Sequence, residues 1–282
     1  MASFLGIIIF FLRDSISFII YLFIFYKKRN GHITLLYHSV GYVASKDDPL
    51  KLNILPQVFE RHLEIISRYS NKIRLTFDDG YSNIFKNAFP LIKKHNLDTI
   101  IFLVTDFIDG KVDSKIFGKE NFNERPLSWE EIRLMDKSGI KFGSHSKTHL
   151  LLTKISEDEL RRECIDSKKR IEEVLGHEIE NFSYPFGGEG SFDKFTEAIL
   201  KESKYNYAYT NIMGISPINP SSNYTLKRIR VYRGDGPLKL KMKIKGAYDW
   251  VDYLFIKLTK GVIRRKSERN KIYYLGKTNF CV

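Results

Sequence analysis

Short apolar runs alternate with amphipathic segments from residue 32 to residue 236, and this alternation limits the folds open to the chain. Strands separated by helices are typical of βαβ units, in which neighbouring strands run parallel. Seven runs predict strands, namely Ile33–Tyr37, Ile73–Phe77, Thr99–Val104, Ile140–Gly143, Asn181–Tyr184, Tyr205–Thr210 and Arg228–Tyr232. About seven parallel strands favour an α/β fold with a closed or nearly closed barrel, which gathers its chemistry at the carboxyl ends of the strands.

Helical periodicity fills the gaps between these strands. The predicted helices are Gln57–Tyr69, Ser82–His95, Ser128–Ser138 and Ser156–Leu175. In the last two, a serine is followed three residues later by Glu131 or Glu159, which is the pattern of a capping box at a helix start.

Two adjacent carboxylates follow the second predicted strand. Asp78 and Asp79 come directly after Ile73–Phe77 and precede Gly80, which allows a tight turn. Neighbouring side chains at a strand end point to different sides, so one carboxylate can bind a metal while the other reaches a water beside it. An Asp-Gly turn with two solvated carboxylates explains the same residues.

Two histidines follow the fourth predicted strand. His145 and His149 are four residues apart, and on one helical turn they would share a face and chelate one ion. Such a pair also arises by coincidence, but here it falls at a strand end, as Asp79 does. One aspartate and two histidines would leave positions on a divalent ion for water and substrate.

A third group of residues follows the fifth predicted strand. Tyr184-Pro185-Phe186-Gly187 contains a proline that fixes the backbone, and the neighbouring amides could face a developing oxyanion. An ordinary Pro/Gly turn is the alternative.

These three groups together resemble the motifs of the polysaccharide deacetylases of the NodB-homology type, carbohydrate esterase family 4. Thr76-Phe77-Asp78-Asp79-Gly80 is similar to the first family motif, and Ser144-His145 through His149 has the spacing of the second. Tyr184 to Gly187 resembles a variant of the third. The resemblance covers roughly residues 32–236 and implies a distorted (β/α) barrel that removes acetyl groups from N-acetylated sugars with a divalent metal.

The resemblance also implies roles for individual residues. Asp79, His145 and His149 would hold the metal, for which zinc is the first candidate among the transition metals. Asp78 would be the general base, and the backbone amide near Phe186 would stabilise the oxyanion. Tyr184, Pro185 and Gly187 are the expected substrate-binding residues.

The chain departs from the family pattern at two positions. Ser183 stands where the third motif usually has an arginine, and Arg228 on another strand is the candidate to supply that guanidinium. The late Leu-x-His motif is absent because no histidine follows His177. His38, at the end of the first strand, resembles the early histidine of the poly-N-acetylglucosamine deacetylase branch and is the candidate general acid; a satisfied polar residue at a strand end is the alternative.

The expected function is therefore metal-dependent N-deacetylation of an N-acetylated glycan or a lipid-linked sugar. One alternative is another amide hydrolase on the same barrel, acting on a cyclic amide or a formylated amino sugar. The other is a non-catalytic relative that binds glycan or membrane, which the altered arginine and the missing late histidine make worth testing.

Residues 1–30 are expected to associate with a membrane. Phe4–Tyr26 is an apolar stretch of 23 residues interrupted by Arg13-Asp14-Ser15. As one helix it would span a bilayer with charges near the centre, whereas two shorter apolar runs in the interface avoid that cost. A hydrophobic helix packed on the domain is the alternative. If the segment spans, Lys27-Lys28-Arg29 favours the cytoplasmic side for the domain that follows, taken as residues 31–236.

The remaining residues, 237–282, are expected to form a basic extension. The chain has a net charge of +13, and residues 227–282 hold 16 Lys and Arg against 4 Asp and Glu, or +12. The alternation in 239–245 predicts an edge strand, and Gly246–Lys260 predicts an aromatic helix followed by Arg264-Arg265-Lys266. An anionic membrane surface is the expected partner of this extension. Nucleic acid is not expected, because no nucleic-acid-binding module is visible.

Overall fold

A computed structural model of the chain describes residues 2–24, 29–48, 50–69, 72–117 and 124–251, without the side chains of residues 2–10 and 45. The chain divides into two compact units. Asn30–Pro237 forms one, called here the barrel unit. Met1–Arg29 and Leu238–Val282 form the other, called here the terminal unit.

The strands, in chain order, are β1 (Ile33–Tyr37), β2 (Ser39–Val40), β3 (Asn53–Ile54), β4 (Ile73–Phe77), β5 (Thr99–Leu103), β6 (Lys141–Ser144), β7 (Asn181–Ser183), β8 (Tyr207–Met213) and β9 (Leu226–Arg230). Seven of them close a barrel in the order β1-β4-β5-β6-β7-β8-β9, and every pair in it is parallel. The prediction of seven parallel strands in a closed barrel is confirmed, with strand ends that differ by up to three residues.

Two of the barrel strands, β1 and β5, are buried along their whole length because both of their faces are covered. All five residues of β1 and all five of β5 are buried, whereas a strand with one wet face would alternate. The strands β2 and β3 lie outside the barrel and pair in parallel with each other. The hydrophobic core of the barrel unit therefore fills the barrel and the layer between strands and helices.

The helices, in chain order, are α1 (Ala2–Ile24), α2 (Pro56–Ile66), α3 (Phe89–His95), α4 (Thr105–Ile108), α5 (Trp129–Asp136), α6 (Glu157–Leu175), α7 (Lys194–Glu202) and α8 (Pro237–Lys245). Both predicted capping boxes are confirmed, with Ser128 at the start of α5 and Ser156 at the start of α6. The predicted helix Ser82–His95 is a π-helical turn at Ile84–Ala88 that continues into α3.

In the terminal unit, α1 runs without a break through Arg13-Asp14-Ser15, where two separate apolar runs were one of the expected arrangements. The Asp14 carboxylate accepts hydrogen bonds from Lys239 Nζ at 3.0 Å and from the Tyr248 hydroxyl at 2.9 Å. Its other ionic partner is Arg13, at 3.0 Å. These charges are satisfied inside the protein, so the helix can continue through them.

The predicted edge strand at 239–245 is wrong, because these residues lie in α8. A short alternating run does not separate strand from helix, and leucine, methionine and lysine are all good helix formers. The helical spacing buries Leu240 and Ile244 together and places the ammonium groups of Lys239 and Lys243 within 6 Å of the Tyr248 ring.

Several sequence predictions lie outside the described residues. They are Lys27 and Lys28, the end of the predicted helix beyond Val251, and Arg264-Arg265-Lys266. Among the described helices, none has both the length and the apolar character needed to cross a membrane.

Candidate active site

Asp78 and Asp79 leave the carboxyl end of β4 into the mouth of the barrel. The Asp78 amide donates to the Tyr37 carbonyl at 3.1 Å, which extends the pairing of β4 with β1 by one residue. Asp79 and Gly80 then take the left-handed conformation, with φ of 74° and 86°. Both aspartates are only 3% exposed, and Asp78 Oδ2 and Asp79 Oδ1 each lie 3.8 Å from His145 Nε2.

His145 and His149 lie in the loop after β6. The prediction that they share a helical turn is wrong, since residues 145–149 are not helical and Ser146 and His149 have φ of 65° and 62°. The folded-back loop nevertheless brings the two imidazole rings to 5.0 Å between centroids, nearly perpendicular to each other. The pair therefore converges through a loop whose backbone is held in an uncommon conformation.

This loop is fixed by a buried glutamate on α6. Glu163 accepts the backbone amides of Lys147 and Thr148 at 3.0 and 2.9 Å, and the Thr148 hydroxyl at 2.6 Å. A carboxylate that accepts three donors from one loop holds it strongly, because hydrogen bonds to an ionised group are about twice as strong as neutral ones.

Asp79, His145 and His149 form one candidate metal site. Each offers one ligand atom, and these atoms lie within 4.8 Å of one another. His145 Nδ1 lies 2.7 Å from the Ser183 carbonyl, which can only accept, so in the neutral imidazole Nδ1 is the donor and Nε2 has the lone pair that can bind an ion. His145 Nε2 lies 3.8 Å from Asp79 Oδ1. Zinc and similar ions bind sets of imidazole and carboxylate ligands in which a backbone carbonyl orients the histidine. These three residues therefore fit such an ion.

Tyr81 supports the aspartate of this set. Its side chain is fully buried and hydrogen-bonds Asp79. Burial and the neighbouring Asp79 charge raise the pKa of Tyr81 well above its ordinary value. The phenol therefore stays protonated and available to donate to the carboxylate.

Asp78 is bound by donors from two other strands. Arg228 on β9 donates Nη1 to Oδ1 at 2.7 Å and Nη2 to Oδ2 at 2.8 Å, and Ser183 on β7 donates its hydroxyl to Oδ2 at 3.2 Å. Burial works to raise the pKa of Asp78, but the charge of Arg228 and the hydrogen bonds that it donates outweigh burial and leave this pKa below its ordinary value. The carboxylate is therefore ionised at neutral pH.

Arg228 is itself fully buried and well anchored. Its Nε donates to the Thr210 carbonyl at 2.8 Å, its Nη2 lies 3.0 Å from the Ser183 hydroxyl, and its guanidinium faces the Phe102 ring. The Arg228 guanidinium thus reaches Asp78 from another strand, and its role in orienting a base stays a prediction. Ser183, at the position usually held by arginine, meets the same carboxylate.

His38 follows β1, and Asp78 follows the neighbouring strand β4 at the same level of the barrel. The Asp78 amide bonds to the carbonyl of Tyr37, the residue just before His38, and the charge of His38 lowers the pKa of Asp78. The structure therefore brings His38 to the same mouth of the barrel as the candidate metal ligands. By contrast, His62 is buried between the Tyr37 hydroxyl and the Asp235 carbonyl, as a structural residue would be.

Residues 184–187 form the turn after β7, and of these four only Phe186 is exposed to solvent. Phe186 has φ of 63°, is 55% exposed and lies with its ring 4.8 Å from that of His149. Pro185 and Gly187 are buried, and a Cβ on Gly187 would meet the Asn211 amide at 2.6 Å. The Tyr184 side chain is fully buried, stacks on Phe192 and bonds the Tyr224 carbonyl. Its ring therefore belongs to the core, and only its backbone lies along the turn.

Sequence reasoning missed the supporting roles of Glu163 and Tyr81. Glu163 falls on the buried face of α6 between Leu160 and Ser167, and an acidic residue on an apolar helical face is a signal that it has a buried partner. For Tyr81 the only signal was its place directly after the Asp-Asp-Gly turn.

Comparison with known proteins agrees with this architecture. The sequence profile described as polysaccharide deacetylase matches residues 67–208, about half of the chain. YxkH of Bacillus subtilis, assigned to the polysaccharide deacetylases, is 27% identical over 165 residues, which cover 57% of this chain and 52% of that protein. The poly-beta-1,6-N-acetyl-D-glucosamine N-deacetylase of Staphylococcus aureus is 26% identical over 170 residues, which cover 56% of this chain and 53% of that protein. The chain thus spans about half the length of the curated relatives it matches.

Among solved structures, the Streptococcus pyogenes deacetylase PplD, determined in complex with acetate, has the same fold. It superposes with a TM-score of 0.64 at 20% identity, over 76% of this chain and 97% of that one. The profile match, the shared barrel and the convergence of the three motifs show that the chain belongs to the polysaccharide deacetylase family.

Proposed function

We propose that this protein is a metal-dependent carbohydrate N-deacetylase. The observation that carries the proposal is the convergence of Asp79, His145 and His149, with ligand atoms within 4.8 Å of one another, beside an Asp78 carboxylate clamped by Arg228. A metal-ligand set next to an ionised base is the arrangement that amide hydrolysis by water requires.

The proposed reaction adds water across the amide of an N-acetyl group. A divalent ion held by Asp79, His145 and His149 would lower the pKa of water and polarise the acetyl carbonyl. Asp78 accepts the proton of the attacking water at Oδ1, since this oxygen binds Arg228 alone whereas Oδ2 also binds the Ser183 hydroxyl. The water oxygen bonds to the acetyl carbon, the carbon–nitrogen bond breaks, and acetate and a free amine leave.

Two further roles complete the proposed mechanism. His38 donates a proton to the leaving nitrogen, which is too basic to depart as an anion. The backbone amide near Phe186 stabilises the oxyanion, in a turn that places this residue against His149. What supports these roles is the position of both residues at the mouth of the barrel, together with the family to which the chain belongs.

The proposed substrate is an N-acetylated glycan, with poly-N-acetylglucosamine linked β-1,6 as the first candidate. Support comes from the relative in Staphylococcus aureus, which is named for that polymer and matches this chain over 170 residues. A lipid-linked N-acetylated sugar is the second candidate.

The test is incubation of the purified full chain, loaded with one defined divalent metal at a time, with a panel of sugars. The panel contains β-1,6- and β-1,4-linked N-acetylglucosamine oligomers, a lipid-linked N-acetylated sugar and a formylated amino sugar. We expect mass spectrometry to report loss of one or more acetyl groups from a glycan. Loss of formyl alone would favour a different amide hydrolase, and no loss from any sugar with any metal would contradict the proposal.

A further inference from the structure

One face of α1 is apolar and exposed. Its large side chains, each at least 43% exposed, are Phe11, Leu12, Ile16, Phe18, Ile19, Leu22 and Phe23. At 3.6 residues per turn these seven fall within a sector about 160° wide. No charged residue of the segment 11–24 falls in that sector. This surface is called here the α1 apolar face.

The opposite side of α1 is the side that packs. Tyr21 is buried in a cluster with Met242, Ala247 and Tyr248, and Ser17 accepts a hydrogen bond from Trp250 Nε1 at 3.1 Å. The Asp14 carboxylate also lies on this side, bonded to Lys239 and Tyr248. The helix has therefore already buried one face in the terminal unit, and the described residues leave the α1 apolar face uncovered.

The terminal unit also holds nearly all of the net charge. Its residues, 1–29 and 238–282, contain 16 Lys and Arg against 4 Asp and Glu, which gives +12 of the total of +13. The barrel unit is close to neutral. The unit that exposes the apolar face is thus also the unit that attracts an anionic partner.

We propose that the α1 apolar face is a docking surface for an anionic lipid bilayer, into whose interface the helix inserts parallel to the membrane plane. Such binding needs both an apolar face and basic residues, and the terminal unit has both. A second copy of the chain would bring +12 against +12, so repulsion opposes self-association through this face. A nucleic acid would meet the charge but leave the apolar side chains in water. This inference is independent of the proposed deacetylase activity.

The experiment measures sedimentation of the full chain with vesicles of phosphatidylcholine alone or with about 30 mol % phosphatidylglycerol. The test variant is Ile19→Glu/Leu22→Glu, which places two charges on the α1 apolar face. The matched control is Leu134→Glu/Phe195→Glu, which adds the same charge at two exposed apolar positions of the barrel unit. Thermal unfolding checks that both variants fold, and Phe23→Glu, at an 86% exposed position, replaces the test variant if it does not.

We expect the wild type and the control variant to bind the anionic vesicles and to bind neutral vesicles weakly. The test variant should bind the anionic vesicles at least about tenfold more weakly. About 0.5 M salt should weaken wild-type binding, because it screens the basic residues. The inference is overturned if the wild type does not bind anionic vesicles, or if the test variant binds them as the wild type does. A dimer that the test variant abolishes, without any vesicle binding, would show that a second copy covers this face instead.

Discussion

Asp78 takes its hydrogen bonds from two strands that are far apart in sequence. Arg228 on β9 binds both carboxylate oxygens, while the Ser183 hydroxyl on β7 reaches only one of them. A bidentate guanidinium fixes the plane of the carboxylate as well as its charge. The orientation of the proposed base therefore depends mainly on Arg228, although the family motif usually has its arginine at the position of Ser183.

Arg228→Lys tests this orientation, because lysine keeps the charge and loses the bidentate geometry. We expect kcat for deacetylation to fall by about 100-fold with little change in KM, since a misplaced base affects the chemical step. Ser183→Ala is the milder partner variant and should lose less than about tenfold, because it leaves the guanidinium pair intact. Steady-state kinetics on both variants measures these two losses, and thermal unfolding checks that both variants fold. A wild-type kcat in Arg228→Lys would contradict the role given to this residue.

His38→Ala tests the proposed general acid through the leaving group. Hydrolysis of an N-acetyl sugar should slow by about 10²- to 10⁴-fold, because the amine needs a proton to depart. Hydrolysis of 4-nitrophenyl acetate should be nearly unchanged, since nitrophenolate leaves without one. His177→Ala, at an exposed histidine, serves as the control. If the hydrolysis of both substrates slows equally, His38 does not act as the acid that protonates the leaving group.

At the scale of elements, α6 positions the histidine loop. Glu163 reaches from this helix to two backbone amides and one hydroxyl in residues 147–148, between the two proposed ligands His145 and His149. The strand β6 alone fixes only the first of these histidines. The second depends on the conformation of the loop and therefore on the helix that holds it.

Glu163→Gln should weaken metal binding by about 10- to 100-fold, which is the usual effect of losing an outer partner of a metal site. The amide offers one acceptor in place of two and turns a donor toward the loop amides. Glu173→Gln changes an exposed glutamate of the same helix and should leave affinity unchanged. Isothermal titration with zinc measures both. Wild-type affinity in Glu163→Gln would show that the loop holds its shape without this contact.

A second contact between elements predicts a pH dependence of stability. Asp109, just after α4, accepts hydrogen bonds from Trp129 of α5 and Arg170 of α6. Burial works to raise its pKa, but the hydrogen bonds from Arg170, Lys111 and Trp129 outweigh it and lower the pKa to about 2 from an ordinary 3.8. Because the folded pKa is the lower one, this stabilisation is present above pH 4 and is lost as the pH falls toward 2.

In Asp109→Asn, the unfolding free energy should therefore decrease less steeply than in the wild type as the pH is lowered from about 4 to about 2. Denaturant unfolding at a series of pH values measures the slope. Asp158→Asn, which removes the same charge from an exposed position in the first turn of α6, is the control. Equal slopes in the wild type and Asp109→Asn would show that these contacts do not depend on the charge of Asp109.

At the scale of the whole molecule, the barrel could be predicted from local sequence patterns. The structure of the chain ends depends instead on contacts between residues far apart in sequence. Most barrel strands are short, largely buried runs separated by helical sequence, so periodicity was enough to find all seven. The ends of the chain behaved differently. The charges of Asp14 and Lys239 looked unfavourable or exposed in sequence, yet they pair across 225 residues, and no local pattern carries that information.

The candidate site shows the same division. The motifs contained Asp78, Asp79, His145 and His149, and the parallel topology made their convergence predictable. The prediction of a helical turn for the two histidines was wrong, because Ser146 and His149 adopt left-handed backbone conformations in a loop that Glu163 helps to hold. The contact of Glu163 with the loop joins elements whose pairing is set by the packing of α6 on the barrel, which spacing alone does not specify.

In the proposed mechanism, deacetylation depends on a metal held by Asp79, His145 and His149. The most direct measurement titrates metal-stripped protein with zinc while bound metal and acetate release from an N-acetylglucosamine oligomer are followed in the same samples. We predict that activity rises with occupancy and stops rising at one bound ion per chain. Asp79→Asn and His145→Ala should bind the ion far more weakly and release almost no acetate. Full activity in the stripped protein with chelator present, or in either variant, would contradict the account.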